Sequence, residues 1–152
     1  MRRSAIMVCV VVAAACLNGT DSTSAPDQPS DPAAETFADN LHINISQMTK
    51  TALGDYYQDL KTGSGPALTG PRSVVFSYET FLKTGVLVDQ QVAVLRDLNT
   101  VVRGLQDGMV GMQVGTERII VVPSALGFGS NALPPIPANA TLVFDVILNQ
   151  LP

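Results

Sequence analysis

Apolar and polar positions alternate along several short stretches of this chain. The clearest is Ala140 to Leu148 (ATLVFDVIL), where Leu142, Phe144, Val146 and Leu148 fall on one side of a strand. Thr141, Val143, Asp145 and Ile147 fall on the other, by the strand period of two. Asp55 to Lys61, Arg72 to Leu82 and Thr116 to Val122 also read as strands, and in the second Val74, Phe76 and Tyr78 share a face. Thr62 to Pro66 breaks the chain, and Lys83-Thr84-Gly85 reads as a hairpin-type turn. Val86 to Asp89 returns from it, and Val92 to Leu95 reads as a separate short strand. Thr100 to Met112 is different: Val101, Val102, Leu105 and Met109 form a helical stripe that Thr100 can cap. Its glycines lower helix propensity, so a short helix is expected. The pattern predicts an α+β domain, an antiparallel sheet with one helix across it.

Pro134, Pro135 and Pro137 precede the last strand. They remove three backbone donors and fix three φ angles, so this stretch is a stiff loop. Upstream of Gly54 the pattern weakens. Residues 36–53 form a lead-in that fits either a helical stripe (Phe37, Leu41, Ile45, Met48) or a strand. Residues 16–35 are rich in Ser, Thr, Asp and Pro and read as a solvated tether. Met1-Arg2-Arg3 followed by the apolar run Ile6 to Ala15 reads as a signal peptide, residues 1–15. The run is too short to span a bilayer. Ala13-Ala14-Ala15-Cys16 suits a lipoprotein signal with Cys16 acylated; secretory cleavage at the Ala-x-Ala is the alternative. The first reading implies an exported, periplasm-facing lipoprotein, at the outer membrane in a diderm cell.

Composition narrows the chemistry. The chain has 152 residues, 46% apolar and 14% charged, with a formal charge of −4. That suits one domain and, without a basic block, argues against a nucleic-acid partner. If Cys16 is acylated and Cys9 removed, the mature domain holds no thiol. His42, the one histidine, reads as an exposed polar residue of the lead-in, so a triad or a multi-histidine metal site is disfavoured. Asp59 and Asp145 read as solvated carboxylates, and the Asn18, Asn44 and Asn139 sequons as chance matches. The lead-in is too short for a long dimerisation arm, and a monomer is expected.

Four blocks in order resemble the FKBP family of peptidyl-prolyl isomerases: YYQDLKTGSGP, VVRGLQDGMVGMQVGTERIIVVP, ALGFG and IPANATLVFDVILNQL. The similarity covers about Gly54 to Leu151, and residues 54–152 are taken as the isomerase domain. The resemblance implies an FKBP-like antiparallel sheet wrapped around one short helix, with a shallow apolar pocket between them that takes a proline ring. It implies no cofactor and no metal, and proline-containing polypeptides as partners.

Carried over by position, the resemblance implies that Tyr78, Asp89, Val102, Phe128 and Phe144 form the catalytic set. Val88, Val92, Val101, Leu105 and Ile136 would bind substrate. The Val102 N–H would hold a substrate carbonyl, and Leu105 would be the floor. The chain departs from the family at that floor, usually Trp. It departs also at two aromatic wall positions, here Val88 and Val92, and at a corner Tyr, here Phe128. An envelope isomerase of reduced activity that assists the folding of exported proteins, and a non-catalytic proline-peptide-binding or chaperone module on the same fold, both fit these departures.

Overall fold

The computed structural model describes residues 29–152; the expected signal peptide, Cys16 and the tether as far as residue 28 lie outside the described residues. Six strands form one antiparallel sheet: β1 (Thr49–Lys50), β2 (Tyr56–Lys61), β3 (Ser73–Leu82), β4 (Leu87–Asp97), β5 (Glu117–Val122) and β6 (Leu142–Gln150). Their order is β1-β2-β5-β6-β3-β4. One helix, α1 (Arg103–Met109), crosses the concave face. The α+β expectation, a sheet wrapped around a short helix, holds.

The predicted alternation sets the two faces. Val74 and Phe76 of β3, Ile120 and Val122 of β5, and Leu142, Phe144, Val146 and Leu148 of β6 are buried in one cluster with Leu105 and Met109 of α1. Gly104 and Gly108 let the helix lie close to β5. A Cβ on Gly104 would come within 2.4 Å of a Val122 methyl, and one on Gly108 within 2.5 Å of Ile120. Mid-helix glycine disfavours helix by about 1 kcal/mol; here it removes side-chain atoms that would clash with Val122 and Ile120.

Two local expectations change. The helix does not begin at Thr100: Leu98–Thr100 is a separate 3-10 turn and Val102 is the N-cap. Thr100 donates its hydroxyl to the Asp97 carbonyl at 2.7 Å instead of capping α1. The segments 86–89 and 92–95 are not separate strands but parts of β4. Between Phe76↔Val94 and Tyr78↔Gln91 the β4 side carries one extra residue, a bulge. Ala93 there has φ 48°, and its N–H donates to the Ser77 hydroxyl at 3.0 Å. A second register shift leaves Val88 as the extra residue between Leu87 and Asp89.

The convex face is covered in part by the lead-in. Phe37, Leu41, Ile43, Ile45 and Met48 pack with Tyr56, Val121 and Val143, and β1 pairs with β2. Within the expected tether, Ser30 and Ser124 exchange N–H to hydroxyl bonds of 2.9 and 2.7 Å, and Glu35 pairs with Lys83 at 3.0 Å. His42 is exposed, with φ 50°.

Neither Asp59 nor Asp145 is a simple solvated carboxylate. Asp59 receives two bonds from the buried Arg118, at 2.5 and 3.1 Å. The same guanidinium donates to the Gly108 and Val110 carbonyls at 2.8 and 3.2 Å and lies 4.2 Å from the Tyr57 ring centre. It thereby joins the C-terminal end of α1 to β2 and β5. Asp145 stands opposite Glu79 in the β3–β6 register. Burial first, then Glu117 and Glu79, push its carboxyl up to about 6. Burial also pushes Asp55, whose Oδ1 accepts from the Thr51 hydroxyl at 2.5 Å, up to about 6.

Two stability outcomes are expected. Leu41 is only 8% exposed. Leu41→Ala should lower unfolding free energy by about 2–3 kcal/mol, read from denaturant melts. For Asp145 the folded pKa lies above the ordinary 3.8. The folded state then holds the extra proton, and its stability falls as pH rises from about 4 to about 6. Asp145→Asn should flatten that slope and raise stability at pH 7 by about 1–2 kcal/mol. An unchanged slope in pH-resolved melts would show that Asp145 is not its source.

Candidate active site

Between the helix and the concave face of the sheet lies a cavity of about 210 Å³. That is below the about 300–1,000 Å³ of pockets for drug-sized ligands and suits one small ring. Its walls come from β3 (Phe76, Tyr78, Thr80), β4 (Asp89, Arg96), the segment entering α1 (Thr100, Val101, Val102) and the helix itself (Leu105). Phe128, Ile136 and Phe144 complete it.

The proline-rich loop supplies one wall. Leu133 and Ile136 exchange backbone bonds of 2.9 and 2.7 Å around Pro134-Pro135, which closes a tight turn. The turn presents Ile136, largely buried, to the cavity. At the Gly127-Phe128-Gly129 corner, Gly129 takes φ 59°, a conformation open to glycine. Its N–H donates to the Ser124 carbonyl at 2.8 Å, and the half-buried Phe128 lies on the cavity side.

Polar groups sit at the rim. The Tyr78 hydroxyl donates to Asp89 Oδ2 at 2.8 Å. Burial and then this bond push the phenol up to about 12, so it stays a protonated donor at neutral pH. The Tyr78 and Phe76 rings lie 5.5 Å apart, centre to centre. Among the described residues none accepts a hydrogen bond from the Val102 N–H.

Of the residues singled out from sequence, Tyr78, Asp89, Val101, Val102, Leu105, Phe128, Ile136 and Phe144 are brought together here. Val88 and Val92 are not. Val88 is half-buried and packs against the core beside the cavity. Val92 is 85% exposed and borders a groove with Ser77, Glu79 and Ile147. Alternation from Asp89, opposite Thr80, through Gln91, opposite Tyr78, already turns Val92 to the other face. Cys16 lies outside the described residues.

Phe76, Thr80, Arg96 and Thr100 line the cavity without having been singled out for it. Thr80 simply continues the alternation of Val74, Phe76 and Tyr78, so its signal was present. Arg96 had none. Counting by twos from Asp89 arrives at Leu95, and only the extra residue of the bulge brings Arg96 opposite Val74.

A six-stranded antiparallel sheet, a short helix across it and an apolar cavity between them define the class of FKBP-fold proteins. The comparisons agree. Residues 66–149 match the family model described as FKBP-type peptidyl-prolyl cis-trans isomerase, and the chain belongs to that family. It is 37% identical over 109 residues to FK506-binding protein 3 of Candida albicans, covering 68% of this chain and 26% of that protein. It is 35% identical over 115 residues to FK506-binding protein 4 of Mycosarcoma maydis, covering 71% and 31%. The chain thus spans about a quarter to a third of the length of these relatives. Among solved structures, FkpA from Escherichia coli matches with a TM-score of 0.64 and 30% identity, over 68% of this chain and 50% of that one. A peptidyl-prolyl isomerase from Pseudomonas syringae matches with a TM-score of 0.64 and 26% identity, over 68% and 79%.

Phe144 is 5% exposed and serves both core and cavity. Phe144→Ala should destabilise the fold by about 3–5 kcal/mol in denaturant melts. A loss under 1 kcal/mol would mean that this ring does not hold the wall.

Proposed function

We propose that this domain catalyses cis-trans isomerisation of X-Pro peptide bonds in exported polypeptides, from a lipid anchor in the cell envelope. The observation that carries the catalytic reading is the apolar cavity with the free Val102 N–H at its edge. The rotation breaks no covalent bond. Its barrier, about 18–20 kcal/mol, is the lost resonance of the amide. A twisted amide is less conjugated and less polar than a planar one. A cavity walled by Phe76, Val101, Leu105, Ile136 and Phe144 holds the proline ring and excludes water, so it favours the twisted state over the planar one. That is preferential binding of the transition state. The Val102 N–H fixes one substrate carbonyl and keeps the rest of the chain still while the bond turns. Asp89 retains Oδ1 as an acceptor at the rim while Oδ2 takes the Tyr78 hydroxyl.

A second reading, a proline-peptide binder without catalysis, is favoured by the wall toward β4, where Val88 and Val92 contribute no cavity surface. One assay separates them: cis-to-trans relaxation of a Leu-Pro peptide at several protein concentrations. A rate that rises with protein supports the isomerase. No rise, with a folded domain, leaves the binder.

The corner at Phe128 carries no hydroxyl, and a neutral hydrogen bond contributes roughly 0.5–1.5 kcal/mol. Phe128→Tyr should raise kcat/KM about fivefold by giving the rim a donor for the carbonyl before the proline. Asp89→Leu should lower activity more than stability, since its carboxylate is exposed.

The envelope location is supported by the basic start, the short apolar run and Ala13-Ala14-Ala15-Cys16. Mass spectrometry of the native protein should find an N-terminus at Cys16 carrying lipid; the same terminus without lipid would reject the anchor.

A further inference from the structure

Among the described residues, Arg96 is the one cation in the cavity lining. The chain as a whole is acidic, with a formal charge of −4. A cation without an ion-pair partner, at the polar rim of a largely apolar cavity, is placed to meet an anionic group of a bound chain. No other polar group of the lining pairs with it directly. Asp89, the anion of the lining, accepts from the Tyr78 hydroxyl at 2.8 Å and makes no ion pair with Arg96. The Thr100 hydroxyl donates to the Asp97 carbonyl, and the Asp97 carboxylate accepts from the Asn99 backbone and amide nitrogens, each at 2.9 Å. Among the described residues, the ion pairs are Lys83–Glu35 and Arg118–Asp59; Arg96 is in neither and makes no side-chain hydrogen bond. Its charge is nevertheless close enough to the cavity to lower the Tyr78 pKa, against the larger effects that raise it.

We propose that Arg96 is a specificity-determining residue, selecting proline segments that carry a carboxylate side chain on a residue flanking the proline. The assignment rests on the reading of the cavity as the site that receives the proline. With the ring between Leu105 and Phe144, the flanking residues emerge at the rim that Arg96, Asp89 and Thr100 form. A guanidinium presents a planar fork of donors that matches a carboxylate. Arg96 is exposed, so water screens the pair and the preference is modest. Its position follows from the bulge at Ala93, which puts Arg96 opposite Val74 on the concave side. An apolar cavity alone would read only the ring; Arg96 adds a reading of charge beside it.

The test uses blocked, end-neutral peptides with Glu, Gln or Lys immediately before or immediately after the proline. Two readouts are taken on the folded domain: relaxation rates, and binding followed by NMR shifts. Binding of the Glu peptide should exceed that of the Gln peptide about two- to fivefold for at least one flanking position, at low salt. The ratio should approach one at about 1 M salt, where the Debye length is roughly 3 Å. Arg96→Gln should abolish the Glu-to-Gln ratio, and Arg96→Glu should turn the preference toward Lys. Arg96 is exposed on an edge strand, so both variants should fold, and the same spectra check this. A ratio of one at both positions, or a ratio unchanged in Arg96→Gln, overturns the assignment. Absence of catalysis with every peptide would instead reject the isomerase reading, while the binding ratios still decide the role of Arg96.

Discussion

The distance between α1 and β5 governs the rest of this structure. Gly104 and Gly108 sit one turn apart on the helix and face Val122 and Ile120. Side chains at either position would lift the helix off the sheet. The cavity is bounded by α1 on one side and by Phe76, Thr80 and Phe144 of the sheet on the other, so the width of the site is the helix-to-sheet spacing. A helix as short as Arg103–Met109 has little stability of its own. It is kept in place by Leu105 and Met109 in the core and by the Arg118 bonds to its C-terminal carbonyls. Asp59 in turn holds Arg118 and so ties the first long strand to the helix.

The edge strand β4 contributes the other defining feature. Its bulges change which residues reach the cavity: one sets Asp89 opposite Thr80 and the other sets Arg96 opposite Val74. They also bend an edge that would otherwise offer a long row of unpaired backbone groups, a common protection against strand-to-strand association. The Ala93 bulge is fixed by Ser77, whose hydroxyl accepts the Ala93 N–H and donates to the Asn149 side chain at 2.9 Å. A small polar residue on the convex face of β3 thus shapes the wall on the concave face.

The two faces of the sheet carry different chemistry. The concave face is apolar and meets the helix. The convex face gathers Glu79, Asp145 and Glu117 on neighbouring strands, beside an apolar cover from the lead-in. Like charges opposed across a ladder disfavour the fold when ionised. Burial is the larger cause of the raised Asp145 carboxyl; Glu117 and Glu79 add to it, and together they tie this region's stability to protonation.

The amino-acid sequence by itself determined the sheet. Each strand with strict alternation, from Val74-Phe76-Tyr78 to Leu142-Phe144-Val146-Leu148, buries the face that its period of two predicts. The four family-like blocks located the helix, the corner and the last loop, and with them six residues of the cavity; Tyr78 and Asp89 followed from the same resemblance between the first two blocks. What the tertiary structure decided falls where alternation fails or where a contact joins distant segments. The bulge in β4 shifts the count by one, and no local signal in Val92-Ala93 announces it. Thr100 could not be told from a cap, because a 3-10 turn and a helix start share the same residues. Glycines 104 and 108 looked like weaknesses in a helix until Val122 and Ile120 were seen against them. Asp59 looked solvated because Arg118, its partner, stands 59 residues away. The lead-in showed two competing periods, and only the apolar surface of Val121 and Val143 selected what it does. These are all non-local contacts, and a pattern read along one segment holds no information about the surface that segment will meet.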